Sequence, residues 1–174
     1  MFLIRIFIIF FILSFFSTNS FAENKIAYIN IDYIINESIP SKSLLSQLKS
    51  IEQKKIKKIN EDENKLKNEE NKILTTKNII SKDEFNKRIS ELQKKIDIFN
   101  KKKKDNIQAL KQKRNEEILR FFNLINPIIE NVMEKNSIGI LIEKKNIFIA
   151  KSNYDITSIV IDEINKNIKE YLIK

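Results

Sequence analysis

Between Ser41 and Asn136, apolar residues recur every three or four positions against a charged background, with no glycine and one proline. That spacing predicts helix throughout. The first half carries Leu44, Leu45, Leu48, Ile51, Ile56, Ile59, Leu66 and Ile73, thinning beyond Ile59 to one apolar position per heptad. A lone helix with so narrow a stripe is marginal in water and needs a partner along its length. The second half supplies one, because Phe85, Ile89, Leu92, Ile96 and Phe99 follow the 4-3 spacing of a heptad seam. Ser81, with Glu84 three residues on, marks the start of that helix as a capping box.

Two helices folded back antiparallel bring together residues whose numbers have a constant sum. Ile73 with Phe85, Leu66 with Leu92, Ile59 with Phe99, Ile51 with Ile107 and Leu48 with Leu110 all sum to 158, which centres the turn near residue 79. Asp62 against Ile96 and Lys55 against Lys103 are poorer pairs. The expected arm is stable but loosely packed. Its reach is ~55–60 Å, from about 38 residues at ~1.5 Å each.

The flanks read differently. Lys25–Ile31 is a β-branched run that predicts a strand, and Asp32 is placed to cap a helical turn over Tyr33–Asn36. Pro40, with Ser41 and Ser43, punctuates the entry to the long helix. Apolar density rises from Ile118 to Met133, so this end is buried more broadly than a two-helix seam. Asn126-Pro127 predicts a kink there, or a restart with Asn126 as N-cap, marking a joint. Ser137–Lys151 reads as a β-hairpin with strands Ile138–Ile142 and Ile147–Ala150 around the turn Glu143–Asn146. Asp155 is expected to cap a last helix with Ile156, Ile159, Val160, Ile164, Ile168, Tyr171 and Leu172 on one face.

The N-terminus adds an address. Arg5 precedes the apolar run Ile6–Leu13, and Ser20-Phe21-Ala22 offers a cleavage site, so residues 1–22 read as a signal peptide. The alternative is a retained anchor, although the run is shorter than the ~20 residues a spanning helix needs. With no cysteine and no histidine, thiol chemistry, disulfides and a histidine base are absent, and one glycine cannot build a phosphate loop. The acid pairs Glu69–Glu70 and Glu116–Glu117 point apart on a helix. No catalytic centre, cofactor site or metal site is expected.

Charge is unevenly placed. Ser41–Asn136 holds 24 Lys and Arg against 15 Asp and Glu, or +9, whereas the rest of the chain after residue 22 holds 7 against 8, or −1. The distal part, Lys65–Lys104, carries 13 against 6, or +7. Such a field attracts acidic clients, anionic lipid or lipopolysaccharide, with Lys77, Lys82, Lys87 and Arg88 as the candidate contacts, or it is simply a solvated face. Ile79 and Ile80 at the tip, like Ile98 and Ile107, either meet clients or complete the seam.

In this order, the pieces resemble the Skp/OmpH family of periplasmic chaperones. The similarity covers everything after residue 22. Its most specific stretches are INPIIENVMEKNSIGILIE (Ile125–Glu143) and NYDIT (Asn153–Thr157). The resemblance implies an α+β fold, a long antiparallel helical-hairpin arm on a small β body. It also implies a homotrimer with an intersubunit β-barrel and an ATP-independent holdase for unfolded outer-membrane proteins. The body would be 23–40 with 128–174, and the arm 41–127 with its tip at 77–81. Ile26, Tyr28, Ile29, Ile31, Ile138, Ile140, Ile142, Ile147 and Ile149 are the candidate core of body and trimer. A three-stranded element with open edges and little core also calls for oligomerisation on physical grounds. The arm is richer in Lys and Asn than most family arms, which carry more Ala and Gln. A structural coiled-coil adaptor of the cell envelope is the alternative reading. The export signal argues against nucleic acid.

Overall fold

The computed structural model describes residues 25–173, so the signal peptide expected over residues 1–22 lies outside the described residues. In chain order the elements are β1 (Lys25–Ile29), α1 (Ile31–Glu37), α2 (Ile39–Thr75), α3 (Lys82–Lys135), β2 (Ile138–Glu143) and α4 (Thr157–Asn167). Two short 3-10 turns lie at Lys144–Asn146 and Ser152–Tyr154.

β1 ends at Ile29 because Asn30 starts the next helix. The Asn30 side chain accepts a hydrogen bond from the Tyr33 amide at 3.0 Å, so Asn30 and not Asp32 is the cap. Helix α2 begins at Ile39 and so takes Pro40 inside its first turn, where a missing N–H costs nothing. Ser38 and Ser41 are fully buried at this corner, and their hydroxyls share a 2.6 Å hydrogen bond.

Thr75 and Lys82 bound the turn between the two long helices. The Ser81 hydroxyl accepts from the Glu84 amide at 3.2 Å, while the Glu84 carboxylate turns to Arg88 Nε at 2.8 Å instead of closing the box. Ile73, Leu92 and Ile59 are buried in the seam, but Ile51 and Ile107 are exposed and leave that expected layer open. The poor partner expected for Lys103 is replaced by a better one. Its ammonium reaches Glu63 at 3.0 Å and lies 5.7 Å from the Phe99 ring centre.

Helix α3 runs through Pro127 without a restart, so Asn126 is not an N-cap. Pro127 and Asn123, whose carbonyl would have accepted the missing bond, both lie on the exposed face. An exposed carbonyl can be solvated, so losing this one backbone hydrogen bond costs less than it would in the core. Ser137 ends α3 at φ 55°, a left-handed residue of the kind that closes helices.

The expected β-hairpin is replaced by a different sheet. β2 pairs with β1 in parallel, with Ile26 opposite Ile140 and Tyr28 opposite Ile142, and residues 147–150 form no strand. Parallel strands cannot be joined by a tight turn and need a crossover. Here α1, α2 and α3 together are that crossover. The stretch NYDIT secures the other side of β1. Tyr28 O accepts from the Ile156 amide at 3.0 Å, and Thr157 Oγ1 accepts from the Asn30 amide at 2.9 Å. Asp155 accepts from the Thr157 amide at 2.9 Å in a turn just ahead of the last helix, whose N-cap position is Ile156 and not the expected Asp155. Helix α4 then buries Val160, Ile161 and Ile164, whereas Ile159 is exposed off that face and Leu172 is exposed beyond the helix end.

Leu44, Leu48, Phe121 and Ile125 at the hairpin root join Ile34, Ile29, Val132 and the α4 residues in one apolar core. Into this core is set a fully buried carboxylate, Glu117. Tyr171 donates its hydroxyl to Oε2 at 2.7 Å, and Oε1 receives Lys113 Nζ at 3.0 Å and an Arg120 Nη at 2.9 Å. Burial pushes the Glu117 carboxyl upward, but the Tyr171 hydroxyl and the two cations outweigh it and hold the group below its ordinary range. Burial, then the carboxylate beside it, pushes the Tyr171 phenol up to about 12. The Tyr171 ring also packs edge-on against Phe121 at 5.8 Å, and its carbonyl accepts from Ser43 Oγ at 3.1 Å. The C-terminal segment is thereby tied to both long helices at their root.

The signs of these shifts define a pH window. Glu117 is the stronger acid in the folded chain, so its contribution is complete above its ordinary value of 4.5 and drains away as pH falls through the lower folded value. Tyr171 is the weaker acid when folded, so its contribution is complete below pH 10 and is lost as pH climbs to about 12. Glu117→Gln should therefore cost roughly 2 kcal/mol at pH 7, the scale of hydrogen bonds to a buried charge. In urea unfolding, the gap to wild type should narrow below pH 4. A gap constant from pH 7 to pH 3 would show that the ionised carboxylate contributes nothing.

Candidate functional site

Among the described residues, no group of three or more Asp or Glu is close enough to hold a metal ion. The acid pairs do diverge: Glu117 is buried in the root, while Glu116 is exposed and accepts from Gln112 at 2.9 Å. What the fold presents instead are surfaces, at the sheet and at the tip of the hairpin.

NYDIT lies along the outer edge of β1, so among the described residues the open edge of this sheet is that of β2, and its outer face is apolar. Ile26 and Ile140 are register partners and both are exposed. Beyond β2, the chain carries Phe148 with its side chain fully in solvent and Ile149 at 85 % exposure. Of the expected core residues, Tyr28, Ile29 and Ile138 are buried, and Ile31, Ile142 and Ile147 are half-buried. Ile26, Ile140 and Ile149 are not core within one chain. Each sits on a strand face or connection that no other described residue fully covers. Phe148 is the residue that reading the sequence missed, since its apolar neighbours made it look like one more strand position.

The hairpin tip is built by the turn between Thr75 and Lys82. Ile79 stands 81 % exposed there, while Ile80 is half-buried. Lys77 and Lys82 are exposed and form no ion pair among the described residues, and Lys87 is exposed one turn further along. Arg88 differs, since its guanidinium is bound to Glu84 at 2.8 Å and, by hydrogen bond and charge, holds that carboxyl below its ordinary range. Lower on the arm, Glu69 pairs with Lys95 and Glu63 with Lys103 across the two helices. The Lys103 hydrogen bond and charge likewise hold the Glu63 carboxyl low. These exposed pairs fix register and are worth little in stability. The net result is a basic arm whose tip offers unpaired lysines around one exposed isoleucine. Ile98 and Ile107 are also exposed along the arm, off the seam.

Comparison with known proteins follows the same architecture. The model of a family described as "Outer membrane protein (OmpH-like)" matches residues 25–164. A crystal structure from Caulobacter crescentus CB15, named as an OmpH-like outer membrane chaperone, superposes with a TM-score of 0.78 at 19 % sequence identity. The match covers 86 % of this chain and 88 % of that one, and it is a likeness of fold. No curated protein sequence matches. On a family match extending from β1 into α4, the chain belongs to the OmpH-like outer membrane protein family.

Proposed function

We propose that this chain is an ATP-independent holdase of the periplasm, which keeps unfolded outer-membrane β-barrel proteins from aggregating. The observation that carries this reading is the family match over residues 25–164. In the proposed assembly, residues 23–40 and 128–174 form a body, three bodies close an intersubunit β-barrel, and the arms of residues 41–127 surround a cavity. An exposed Phe148 and Ile149 beside an open two-stranded sheet support a closure of this kind, because exposed strand edges and large apolar side chains invite pairing.

The arm suits holding better than catalysis. Unfolded clients share no sequence, so weak and distributed contacts on an adaptable surface serve them better than a shaped pocket. The basic excess on the arm draws acidic clients by its field. The same lysines, Lys77, Lys82 and Lys87 with Arg88, would attract anionic lipid or lipopolysaccharide. Export through the N-terminal segment places the chain where such clients pass.

Diluting an outer-membrane barrel protein from urea should test both parts of the proposal. Light scattering should be suppressed at one trimer per client, and the mass in solution should be that of three chains. Phe148→Glu with Ile149→Glu should shift the mass towards one chain and lose suppression together with it. A stable trimer that leaves aggregation unchanged would instead favour a structural adaptor of the cell envelope.

A further inference from the structure

From residue 49 to residue 58, every residue of α2 is exposed although the helix runs alongside α3. The cause lies in which residues α3 offers. At this level its half-buried positions are Lys103, Asn106, Leu110 and Lys113, of which Leu110 alone is apolar, while Ile107 sits one residue off that line and is 54 % exposed. The seam lacks its apolar filling here, and a cleft of about 620 Å³ opens between the helices.

The walls and the rim of that cleft differ in kind. Ile51, Ile56, Ile59, Ile107 and Leu110 line it, with Ile51 at 38 % and Ile56 at 43 % exposure. At the root end stand Lys111 and Arg114, both exposed and engaged in no ion pair among the described residues. At the tip end, Lys103 is already bound to Glu63 at 3.0 Å. Glu52 is the single carboxylate on the lining.

We propose that this cleft binds a single-chain amphiphilic anion, specifically a medium-chain fatty acid carboxylate. The carboxylate meets Lys111 and Arg114, and the alkyl chain runs between the isoleucines towards Ile59. The volume falls in the range of ~300–1,000 Å³ typical of small-molecule sites. Leu48 to Ile59 spans about 16 Å at ~1.5 Å per residue, which suits a chain of laurate or myristate length. Both walls are helices whose backbone groups are satisfied internally. An extended peptide laid in the cleft would leave its own amides unpaired, whereas an alkyl chain has none to satisfy. The cationic rim selects an anion over a neutral or cationic amphiphile.

The test is titration calorimetry of the delipidated full chain, without its signal peptide, with laurate below its micelle concentration. One laurate per chain is expected, weakened at least tenfold by Lys111→Glu with Arg114→Glu and also by Ile107→Asp. These positions are exposed, and circular dichroism should show the variants as helical as wild type. Dodecyltrimethylammonium, of matching chain length and opposite charge, should not saturate. Absence of saturable laurate binding, binding indifferent to the charge reversal, or equal binding of the cation would each overturn the proposal. No client protein enters the measurement, so its outcome is separate from that of the holdase reading.

Discussion

A hairpin of two long, polar helices has too little core to hold itself together, and the rest of this structure answers that shortage. Along the arm, burial is confined to a few residues such as Ile59, Ile73 and Leu92. At the root, Leu44, Leu48, Phe121 and Ile125 sink into the common apolar core, and Tyr171 crosses them to reach Glu117. A buried carboxylate is costly unless its partners are all present. Here a phenol and two cations converge on it, so the site also fixes where the last residues of the chain must lie. The C-terminal segment is ordered because the root requires it.

The topology follows from the same economy. The arm is an outsized crossover between two parallel strands, and its ends are only as far apart as neighbouring strands. Two strands bury one face against the helices and, with NYDIT along β1, leave the other face and the outer edge of β2 open. The apolar residues left outside, Ile26, Ile140, Phe148 and Ile149, are what a further chain would cover. In the proposed assembly, the uncovered apolar face would meet a further chain and the rooted basic arm would hold the client.

Much of the helical structure was legible in the sequence because its determinants are local. The 4-3 spacing from Phe85 to Phe99, the Ser81 cap and the constant index sum all act within a turn or across one hairpin. Failures came where the outcome depends on a third element. Ile147–Ala150 has the composition of a strand, but pairing is decided by what lies beside it, and β1 had already taken β2. Pro127 was tolerated because it faces water, a property of the face and not of the residue. Ile107 missed its layer because the seam on α3 passes through Asn106 instead. Glu117 could have been found as an acid flanked by Lys113 and Arg120 inside an apolar-rich segment, but its partner Tyr171 lies 54 positions away. Of the candidate surfaces, the lysine excess of the arm was readable from charge alone, while the exposure of Phe148 was not.

Amide hydrogen exchange along α2 and α3 tests the central claim most directly, because local opening follows local packing. The account predicts the strongest protection around Leu44, Phe121 and Ile125, intermediate protection near Ile73 and Leu92, and the weakest helical protection over residues 49–58. Uniform protection from root to tip would contradict it, because the hairpin would then be holding itself together without the root.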